Sequence, residues 1–552
     1  MKPRFLYTLT ALSLTLALPT RAADQSFKDF VAVKDGKAVK TIGDWKTHAG
    51  YLSAEGKAAS LKAECGIGPG DFHVVMRLRL INQKKCAAFF HLDNISFGWE
   101  GAAEKIFANG GAFGSLTFFQ HSPDVFERDK WFDFEVTRRD GKLSYVINGQ
   151  MITQISDGNR SYNSVGVRPW RARMQIDRFT IAGNITKIKV PKQIKFNIPL
   201  IDLDAEEHRQ VIVDREKGQY LGHPTTCLLE DGKTILCVYP KGHGRGPIVY
   251  KRSNDGGLTW SERLPTPASW ATSKEVPTLH RVIDPTGKKR IIMWSGLYPA
   301  RLAVTEDDGQ NWSELRTVGD WGGIVVMGCL EGLKTGKGHY MAMFHDDGRF
   351  FSKTPKRENP VRFKLFKIFS KDGGLTWSFP EVVYEDTEIH LCEPGIFRSP
   401  DGTQLAVLLR ENRRAKNSHI IFSNDEGKTW TEPRELPNEL TGDRHTGKYL
   451  PDGRLFITFR DKTPRTWISP TAGDWAGWIG RYEDLVNGKP GQYRLRLKDN
   501  HKGSDCTYPG VERLPDGTIV TTTYGHWDKG EQPYILSVRF TGKELDAKAA
   551  KH

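Results

Sequence analysis

One eight-residue pattern, Ser/Thr-x-Asp-x-Gly-x-x-Trp, constrains the fold of this chain more than any other feature. Its four copies begin at Ser253, Thr305, Ser370 and Ser423, so that successive copies start 52, 65 and 53 residues apart. A repeat of this length fits one four-stranded blade of a β-propeller. Within each copy, the Asp is suited to capping a tight turn, the Gly to a positive φ and the Trp to filling the gap between neighbouring blades.

A second repeat indicates which residues meet at the centre of such a ring. Four apolar strands run into an Asp-Gly turn and return, with the turns at Asp231, Asp401, Asp452 and Asp516. In such a hairpin, the residue seven or eight before the Asp lies beside the residue eight or nine after it. Because blades are related by rotation, we expect these residues at one rim. The inner set is His223, Glu393, His445 and Tyr508, and the set just outside it is Tyr239, Arg410, Arg460 and Tyr524.

Two further blades fit the strands around residues 278–294 and 327–345, which brings the number of blades to six. The eight-residue repeats are Asp boxes, and the array resembles the sialidase (neuraminidase) superfamily over about residues 200–545. The predicted fold class is therefore all-β, with a six-bladed propeller. In that superfamily the boxes are structural and lie on the face away from the active site.

The resemblance implies an exo-acting retaining glycoside hydrolase that releases terminal sialic acid, or a related 2-keto acid sugar, from glycans. In the family a Tyr is the nucleophile and a Glu polarises it, because a carboxylate nucleophile would be repelled by the substrate's own carboxylate. Three Arg clamp that carboxylate, and an Asp acts as acid and base. Such a mechanism needs no cofactor, and no metal motif is present in the sequence. The implied partners are sialylated glycans or glycoproteins.

Several residues match the family pattern. Tyr508, in Thr-Tyr-Pro-Gly, matches the nucleophile, and Glu393 matches the Glu that polarises it. Arg410, 17 residues after Glu393, matches the second clamp Arg. Arg460 holds the equivalent place in the next blade and is expected to be another clamp residue.

Two parts of the family pattern are missing. The first clamp Arg is replaced by the run Gly222-His223-Pro224, and no Asp stands in the outer loop of the first blade, residues 241–247. In that loop, Arg245 is expected to replace the clamp residue and His243 to assist proton transfer, since His titrates near neutrality. Asp346, next to His345 in the third blade, is the predicted acid and base, with a plain turn as the alternative. The rim histidines, His223, His345 and His445, are expected to contact substrate.

The first 23 residues have the form of a signal peptide. Lys2 and Arg4 precede an apolar run from Phe5 to Leu18, and small residues follow at Ala22 and Ala23. No later segment approaches 18 apolar residues, so no membrane span is expected in the mature protein. The sequence therefore predicts a secreted, periplasmic or cell-surface protein.

The remaining residues form two predicted domains, 24–190 and 191–552. In the first, segments such as 72–80 and 131–137 alternate apolar and polar residues, which is typical of half-buried strands. This part resembles the concanavalin or laminin-G type of β-sandwich (jelly roll). Carbohydrate binding and a spacer role both remain open for it.

Charge and cysteine content narrow the classes of function. The formal net charge of +14 comes from dispersed Lys and Arg residues, which favours an acidic glycan over nucleic acid as a partner. Seven Cys without any CxxC spacing indicate neither a disulfide framework nor a zinc site. Two alternatives to a sialidase remain: a glycan-binding propeller without hydrolysis, and a hydrolase of a different sugar.

Overall fold

The computed structural model describes residues 39–81, 87–100, 104–113, 117–121, 124–188, 190–358 and 360–550. The chain divides into two compact units, Met1–Lys189 and Val190–His552. The predicted signal peptide, residues 1–23, lies outside the described residues and stays a prediction. Within the described ranges, none of the helices has the length and apolar character that a membrane crossing requires.

The N-terminal unit consists of two seven-stranded antiparallel sheets. The first contains, in spatial order, Val39–Ile42, Ser60–Ala63, Val165–Arg168, Ala87–Leu92, Ile95–Glu100, Lys105–Asn109 and Thr117–His121. The second contains Gln150–Ser156, Lys142–Ile147, Trp131–Arg139, Gly66–Ile81, Arg173–Thr186, Tyr51–Glu55 and Trp45–His48.

Apolar residues of both sheets share one hydrophobic core. Along Trp131–Arg139, Phe132, Phe134 and Val136 are buried while the residues between them are half-exposed, which is the two-residue period of a strand with one buried face. The ring of Phe134 packs 5.2 Å from that of Phe90 in the other sheet. The concanavalin or laminin-G type that the sequence predicts for this unit stays a prediction.

The C-terminal unit is a six-bladed β-propeller, so the predicted fold class is confirmed. Blades 1 to 3 contain the strands Thr225–Leu228, Ile235–Pro240 and Ile248–Ser253; Thr278–Ile283, Lys289–Ser295, Arg301–Thr305 and Arg316–Thr317; and Ile324–Gly332, Tyr340–Asp346, Phe363–Ser370 and Glu381–Asp386. Blades 4 and 5 contain Leu391–Arg398, Leu405–Glu411, His419–Ser423 and Arg434–Glu435; and Asp443–Tyr449, Leu455–Arg460, Trp475–Gly480, Tyr493–Lys498 and Leu200–Asp202. Blade 6 contains Gly510–Arg513, Ile519–Gly525, Tyr534–Phe540 and Gln210–Asp214.

Few other elements accompany the blades. Two short helices, Tyr482–Asn487 and Gly542–Ala549, follow the third strands of blades 5 and 6. A two-stranded parallel sheet joins Lys192–Gln193 to Trp467–Ile468.

The ring is closed by a strand from the beginning of the unit. Gln210–Asp214 pairs antiparallel with Tyr534–Phe540 and becomes the outermost strand of blade 6. The Asp214 carboxylate accepts hydrogen bonds from the Tyr239 hydroxyl at 2.5 Å and from Arg263 Nε at 2.7 Å. Tyr239 belongs to blade 1, so Asp214 joins the last blade to the first.

The Asp boxes lie in the turns that follow the third strands. In the first box, Ser253 Oγ accepts a hydrogen bond from the Gly257 amide at 2.8 Å. The Asp255 carboxylate accepts one from the Thr259 amide at 2.9 Å. Gly257 has a φ of 82°, in the region that favours glycine. The Asp and Gly of this box therefore have the roles that the sequence predicts.

The box tryptophans contribute to packing between blades. Trp312, from the second box, lies edge-on to Tyr250 and Trp270, which precede blade 2 in the chain, with ring centres 6.1 and 5.3 Å apart. Trp377, from the third box, packs 5.4 Å from Trp294 of blade 2. Large aromatic rings thus fill the space between adjacent sheets, which is the role predicted for them.

Candidate active site

A tyrosine from blade 6 and a glutamate from blade 4 meet at one rim of the propeller. The Tyr508 hydroxyl donates a hydrogen bond to Glu393 Oε1 at 2.5 Å. Both residues are buried, with exposed fractions of 8% and 3%. Burial, reinforced by the negative charge of Glu393, raises the pKa of Tyr508 well above its ordinary value. Tyr508 therefore keeps its proton until a base takes it.

Two arginines predicted for the rim surround this pair. Burial opposes ionisation of Glu393, but the charges of Arg410 and Arg460 hold its pKa below the usual range. Arg410 Nη1 donates to Glu393 Oε1 at 2.6 Å. The Arg460 guanidinium carbon lies 5.5 Å from the centre of the Tyr508 ring. Glu393 is thus an ionised acceptor next to the tyrosine hydroxyl.

A buried aspartate that the sequence analysis missed holds several of these cations in place. Asp443 is fully buried, and its carboxylate lies 2.6 Å from Arg414 Nη1, 3.6 Å from Arg410 Nε and 3.7 Å from Arg460 Nη1. Burial alone would raise the pKa of Asp443, but these three arginines hold it well below its usual range. The rim therefore contains a network of cations arranged around one permanent negative charge.

The inner strands of blades 4 and 5 share an irregular step. In blade 4, Glu393 and Pro394 are left out of the register of paired residues. In blade 5, Arg444 and His445 are left out in the same way. Glu393 and Arg444 have positive φ values of 51° and 58°. Arg444 is therefore the structural equivalent of Glu393. The predicted rim position of His445 is wrong by one residue, and such a slip turns a side chain away from its expected direction.

Arg444 differs from its neighbours in having no anionic partner. Its guanidinium carbon lies 5.5 Å from the centre of the Tyr508 ring, and only 6% of the residue is exposed. Nη1 makes no hydrogen bond, and among the described residues no carboxylate forms an ion pair with this side chain. The site thus contains one buried positive charge that is not compensated by a contacting carboxylate.

His223 lies in the run Gly222-His223-Pro224 of the first blade and packs against the nucleophile candidate Tyr508. Its ring lies 4.4 Å from the Tyr508 ring and stacks on Tyr524 at 4.5 Å. Its Nδ1 accepts a hydrogen bond from the Gly244 amide at 3.1 Å. Burial, followed by the nearby His243 and Arg460, lowers the pKa of His223 well below its ordinary value. His223 is therefore a neutral ring against the tyrosine, not a cation.

Three other predicted site residues have local structural partners. His345 Nδ1 lies 3.4 Å from the Glu393 amide, which donates to it. The Asp346 carboxylate accepts hydrogen bonds from the amides of Gly348 at 2.6 Å and Phe350 at 3.2 Å, so Asp346 closes a turn. Burial raises the pKa of Asp346 to about 6, and its role as acid and base stays a prediction. His445 is buried, and its Nε2 is hydrogen-bonded to the Leu440 carbonyl oxygen at 2.8 Å.

The first-blade loop carries the two remaining predicted residues. His243 is exposed, and its ring lies 4.8 Å from that of His223, which places it next to the rim. Its Nδ1 is 2.7 Å from the Tyr220 hydroxyl. Arg245 is exposed, and no ion pair with it is formed by the part of the chain that the structure describes.

One family model matches part of the propeller. Residues 293–519 match the model of the BNR repeat-like domain. The match falls on a ring of six blades that carries four Asp boxes. The propeller thus contains a BNR repeat-like domain. The resemblance that the sequence indicates is thereby confirmed.

Several solved structures are similar to this chain. One is a protein of unknown function from Dyadobacter fermentans, with 16% identity, a TM-score of 0.47, and coverage of 60% of this chain and 97% of that one. Another is the leech intramolecular trans-sialidase complexed with 2,7-anhydro-Neu5Ac, with 13% identity, a TM-score of 0.42, and coverage of 92% and 99%. A third is the Ruminococcus gnavus intramolecular trans-sialidase in complex with oseltamivir carboxylate, with 14% identity, a TM-score of 0.40, and coverage of 59% and 95%. No curated protein matches the chain.

The rim matches some parts of the sialidase pattern given in the sequence analysis and differs from it in others. The structure brings together Tyr508, Glu393, Arg410 and Arg460, four residues that the sequence indicates. It adds Arg444, Arg414 and Asp443, which the sequence analysis missed. A uniform count of eight residues before each Asp-Gly turn would have found Arg444, since it gives His223, Glu393, Arg444 and Tyr508.

Proposed function

We propose that this protein is an exo-acting retaining glycoside hydrolase that releases terminal sialic acid or a related 2-keto acid sugar. The observation that carries the proposal is the 2.5 Å hydrogen bond from Tyr508 to Glu393. A phenol needs a base to become a nucleophile at neutral pH, and Glu393 is an ionised carboxylate at hydrogen-bond distance. A neutral nucleophile also suits an anionic substrate, because it does not repel the carboxylate beside the reacting carbon.

The proposed reaction has two displacements. In the first, the Tyr508 oxygen bonds to the anomeric carbon while its proton passes to Glu393 and the bond to the leaving group breaks. In the second, water bonds to the same carbon, the bond to Tyr508 breaks, and Tyr508 recovers its proton. Two inversions at one carbon give net retention.

We propose that Arg410, Arg460 and Arg444 bind the substrate carboxylate. Arg410 and Arg460 already have anionic neighbours in Glu393 and Asp443, whereas Arg444 has none in contact. A buried charge without a partner is costly, and an incoming carboxylate would offset that cost. Arg444 is better placed for this role than Arg245, because it is buried against the nucleophile while Arg245 is exposed on a loop.

A fluorogenic sialoside tests the proposal. The wild type should hydrolyse it, and Tyr508→Phe should reduce turnover by at least about a hundredfold, since the nucleophilic oxygen is lost. Tyr449→Phe is a matched control, because its hydroxyl donates to the Arg398 carbonyl at 2.7 Å beyond the rim, and it should keep wild-type turnover. Proton NMR of the first product formed should show retention.

Two outcomes would contradict the proposal. Binding of a sialoside by calorimetry without any hydrolysis would favour a glycan-binding propeller. Hydrolysis with inversion, or equal activity in Tyr508→Phe, would favour a hydrolase that uses other residues.

A further inference from the structure

A second cluster of titratable side chains lies next to the Tyr508–Glu393 pair. It consists of Tyr220, His243, Asp505 and His526, and is called the Asp505 cluster below. Asp505 Oδ1 accepts a hydrogen bond from the Tyr220 hydroxyl at 2.7 Å, and its Oδ2 lies 3.1 Å from His526 Nε2. Asp505 precedes Tyr508 by three residues, so the loop that positions the nucleophile also positions this carboxylate.

The contacts of Asp505 indicate the direction of the Tyr220 and His243 protons. Burial would raise the pKa of Asp505, but hydrogen bonds with His243, Tyr220 and His526 hold it well below its usual range. An ionised carboxylate only accepts, so the single hydroxyl hydrogen of Tyr220 goes to Asp505. The Tyr220 oxygen then accepts the hydrogen of His243 Nδ1, at 2.7 Å. The other ring nitrogen of His243, Nε2, makes no hydrogen bond with the described part of the chain.

The position of His243 suits contact with a leaving group. Its side chain is 66% exposed, and one ring, that of His223, lies between it and Tyr508. His243 lies in the loop between the second and third strands of blade 1, at the outer edge of the rim. A leaving group that projects from a sugar at Tyr508 toward this exposed loop would come within reach of His243 Nε2.

We propose that His243 is the general acid and base of the reaction, and that Asp505, which lies 3.4 Å from His243 Nδ1 and also contacts it through Tyr220, is its positioning residue. This inference rests on the proposed function. Asp505 itself is a poor acid, because its carboxylate is ionised and accepts hydrogen bonds at both oxygens. A histidine can hold either protonation state near neutrality, as a group that first gives and then takes a proton must.

The proton balance of both steps is complete. In the first, the His243 imidazolium gives its Nε2 proton to the leaving-group oxygen as the bond from that oxygen to the anomeric carbon breaks. The Tyr508 oxygen bonds to that carbon, and its proton goes to Glu393. In the second, neutral His243 takes a proton from the water that bonds to the carbon, while Tyr508 leaves and recovers its proton from Glu393.

The dependence on leaving group tests this assignment. A general acid matters for a sialoside of an alkyl alcohol, such as sialyllactose, and little for 4-nitrophenyl sialoside, whose leaving group departs unprotonated. We expect His243→Ala to reduce kcat/KM for sialyllactose by at least about a hundredfold, and for the aryl substrate by less than about tenfold. Asp505→Asn and Tyr220→Phe should show the same split with smaller losses.

Two controls separate catalysis from folding. His339→Ala replaces a half-buried histidine in the first hairpin turn of blade 3, where its Nδ1 contacts Thr335 Oγ1, and it should leave both substrates unaffected. Melting temperatures of all variants show whether a loss of activity follows from unfolding. Azide, which needs no base, should restore turnover of the aryl substrate by His243→Ala and not by Tyr508→Phe.

Each other outcome has a distinct meaning. Equal losses on both substrates, or no loss in His243→Ala, would overturn the assignment of His243 and leave the proposed function intact. If Asp346→Asn loses activity mainly on sialyllactose and His243→Ala does not, the general acid and base is Asp346 in blade 3. A wild type that cleaves neither substrate would overturn the proposed function and this inference together.

Discussion

At the scale of single residues, the rim combines the hydrogen bond between Tyr508 and Glu393 with several positively charged side chains. Tyr508 and Glu393 are 2.5 Å apart, and the guanidinium groups of Arg410, Arg460 and Arg444 surround them. This arrangement keeps Glu393 ionised in a buried place where it would otherwise be protonated. The chemistry of the pair therefore depends on both side chains together.

Tyr508 and Glu393 should behave as one unit in mutagenesis. Tyr508→Phe removes the nucleophile and Glu393→Gln removes its base, so each should lower kcat by at least about a hundredfold. The double variant should lose little more than either single one, and kcat for all three on a fluorogenic sialoside checks this. Losses that multiply would show that the two residues act independently.

Arg410 and Arg444 should affect stability differently. Arg410→Met leaves Glu393 and Asp443 short of a counter-charge, so it should lower the free energy of unfolding by about 3–5 kcal/mol. Arg444→Met removes a buried cation that has no contacting anion, so stability should stay the same or rise. Chemical denaturation of both variants measures the difference, and an equal loss in both would mean that Arg444 has a structural partner.

At the scale of elements, the two ends of each blade have different tasks. The rim end carries the irregular steps of the inner strands, with Glu393 and Arg444 at positive φ. Bulges of this kind turn a side chain out of the ladder and are common next to active sites. The other end carries the Asp boxes, whose hydrogen bonds and tryptophans join neighbouring blades.

Trp312→Ala should separate these tasks. The indole packs against Tyr250 and Trp270, and its loss should lower the free energy of unfolding by about 3–5 kcal/mol. Activity measured well below the melting temperature should stay at the wild-type level, because the box lies at the end of the blade away from the rim. Lost activity with unchanged melting would reverse the assignment of the two faces.

At the scale of the whole molecule, the propeller forms a ring that both ends of the unit close. The closing strand Gln210–Asp214 comes from the start of the unit and pairs with the last long strand. Asp214 extends this closure to blade 1 through Tyr239 and Arg263. A ring closed by both its ends has no terminal blade at which it could open.

Asp214→Asn tests this closure. The change removes the charged acceptor of Tyr239 and one of the two carboxylates that pair with Arg263, the other being Glu216, so the free energy of unfolding should fall by about 1.5–3 kcal/mol. Asp133→Asn in the N-terminal unit is the control, because its ion pair with Arg178 is exposed and should be worth less than about 1 kcal/mol. Calorimetry of the full chain compares them, and wild-type melting of Asp214→Asn would mean that strand pairing alone holds the ring.

The sequence by itself determined the propeller, the place of its Asp boxes and the core of the site. The Asp-Gly turns and the Asp boxes indicate the backbone conformation within each blade. Because the blades are related by rotation, the place of a residue in one blade predicts the place of the equivalent residue in the next. Tyr508, Glu393, Arg410 and Arg460 could be predicted in this way. A count of eight residues before the turn also gives Arg444. The irregular pairing of the inner strand is not visible in the apolar pattern, so the sequence analysis predicts His445 for this position.

Only the tertiary structure decided how these residues are partnered. Asp443 forms ion pairs with three arginines, and Asp214 links the last blade to the first. Asp505, in the loop before blade 6, contacts Tyr220, which in turn contacts His243 in blade 1. Asp346 resembles a catalytic acid in the sequence, yet its carboxylate closes a turn. These contacts depend on strand register and on the paths of loops between distant segments. Local sequence periodicity does not determine either of them. One run of residues can form the same strand or turn while its side chains contact different partners across the ring.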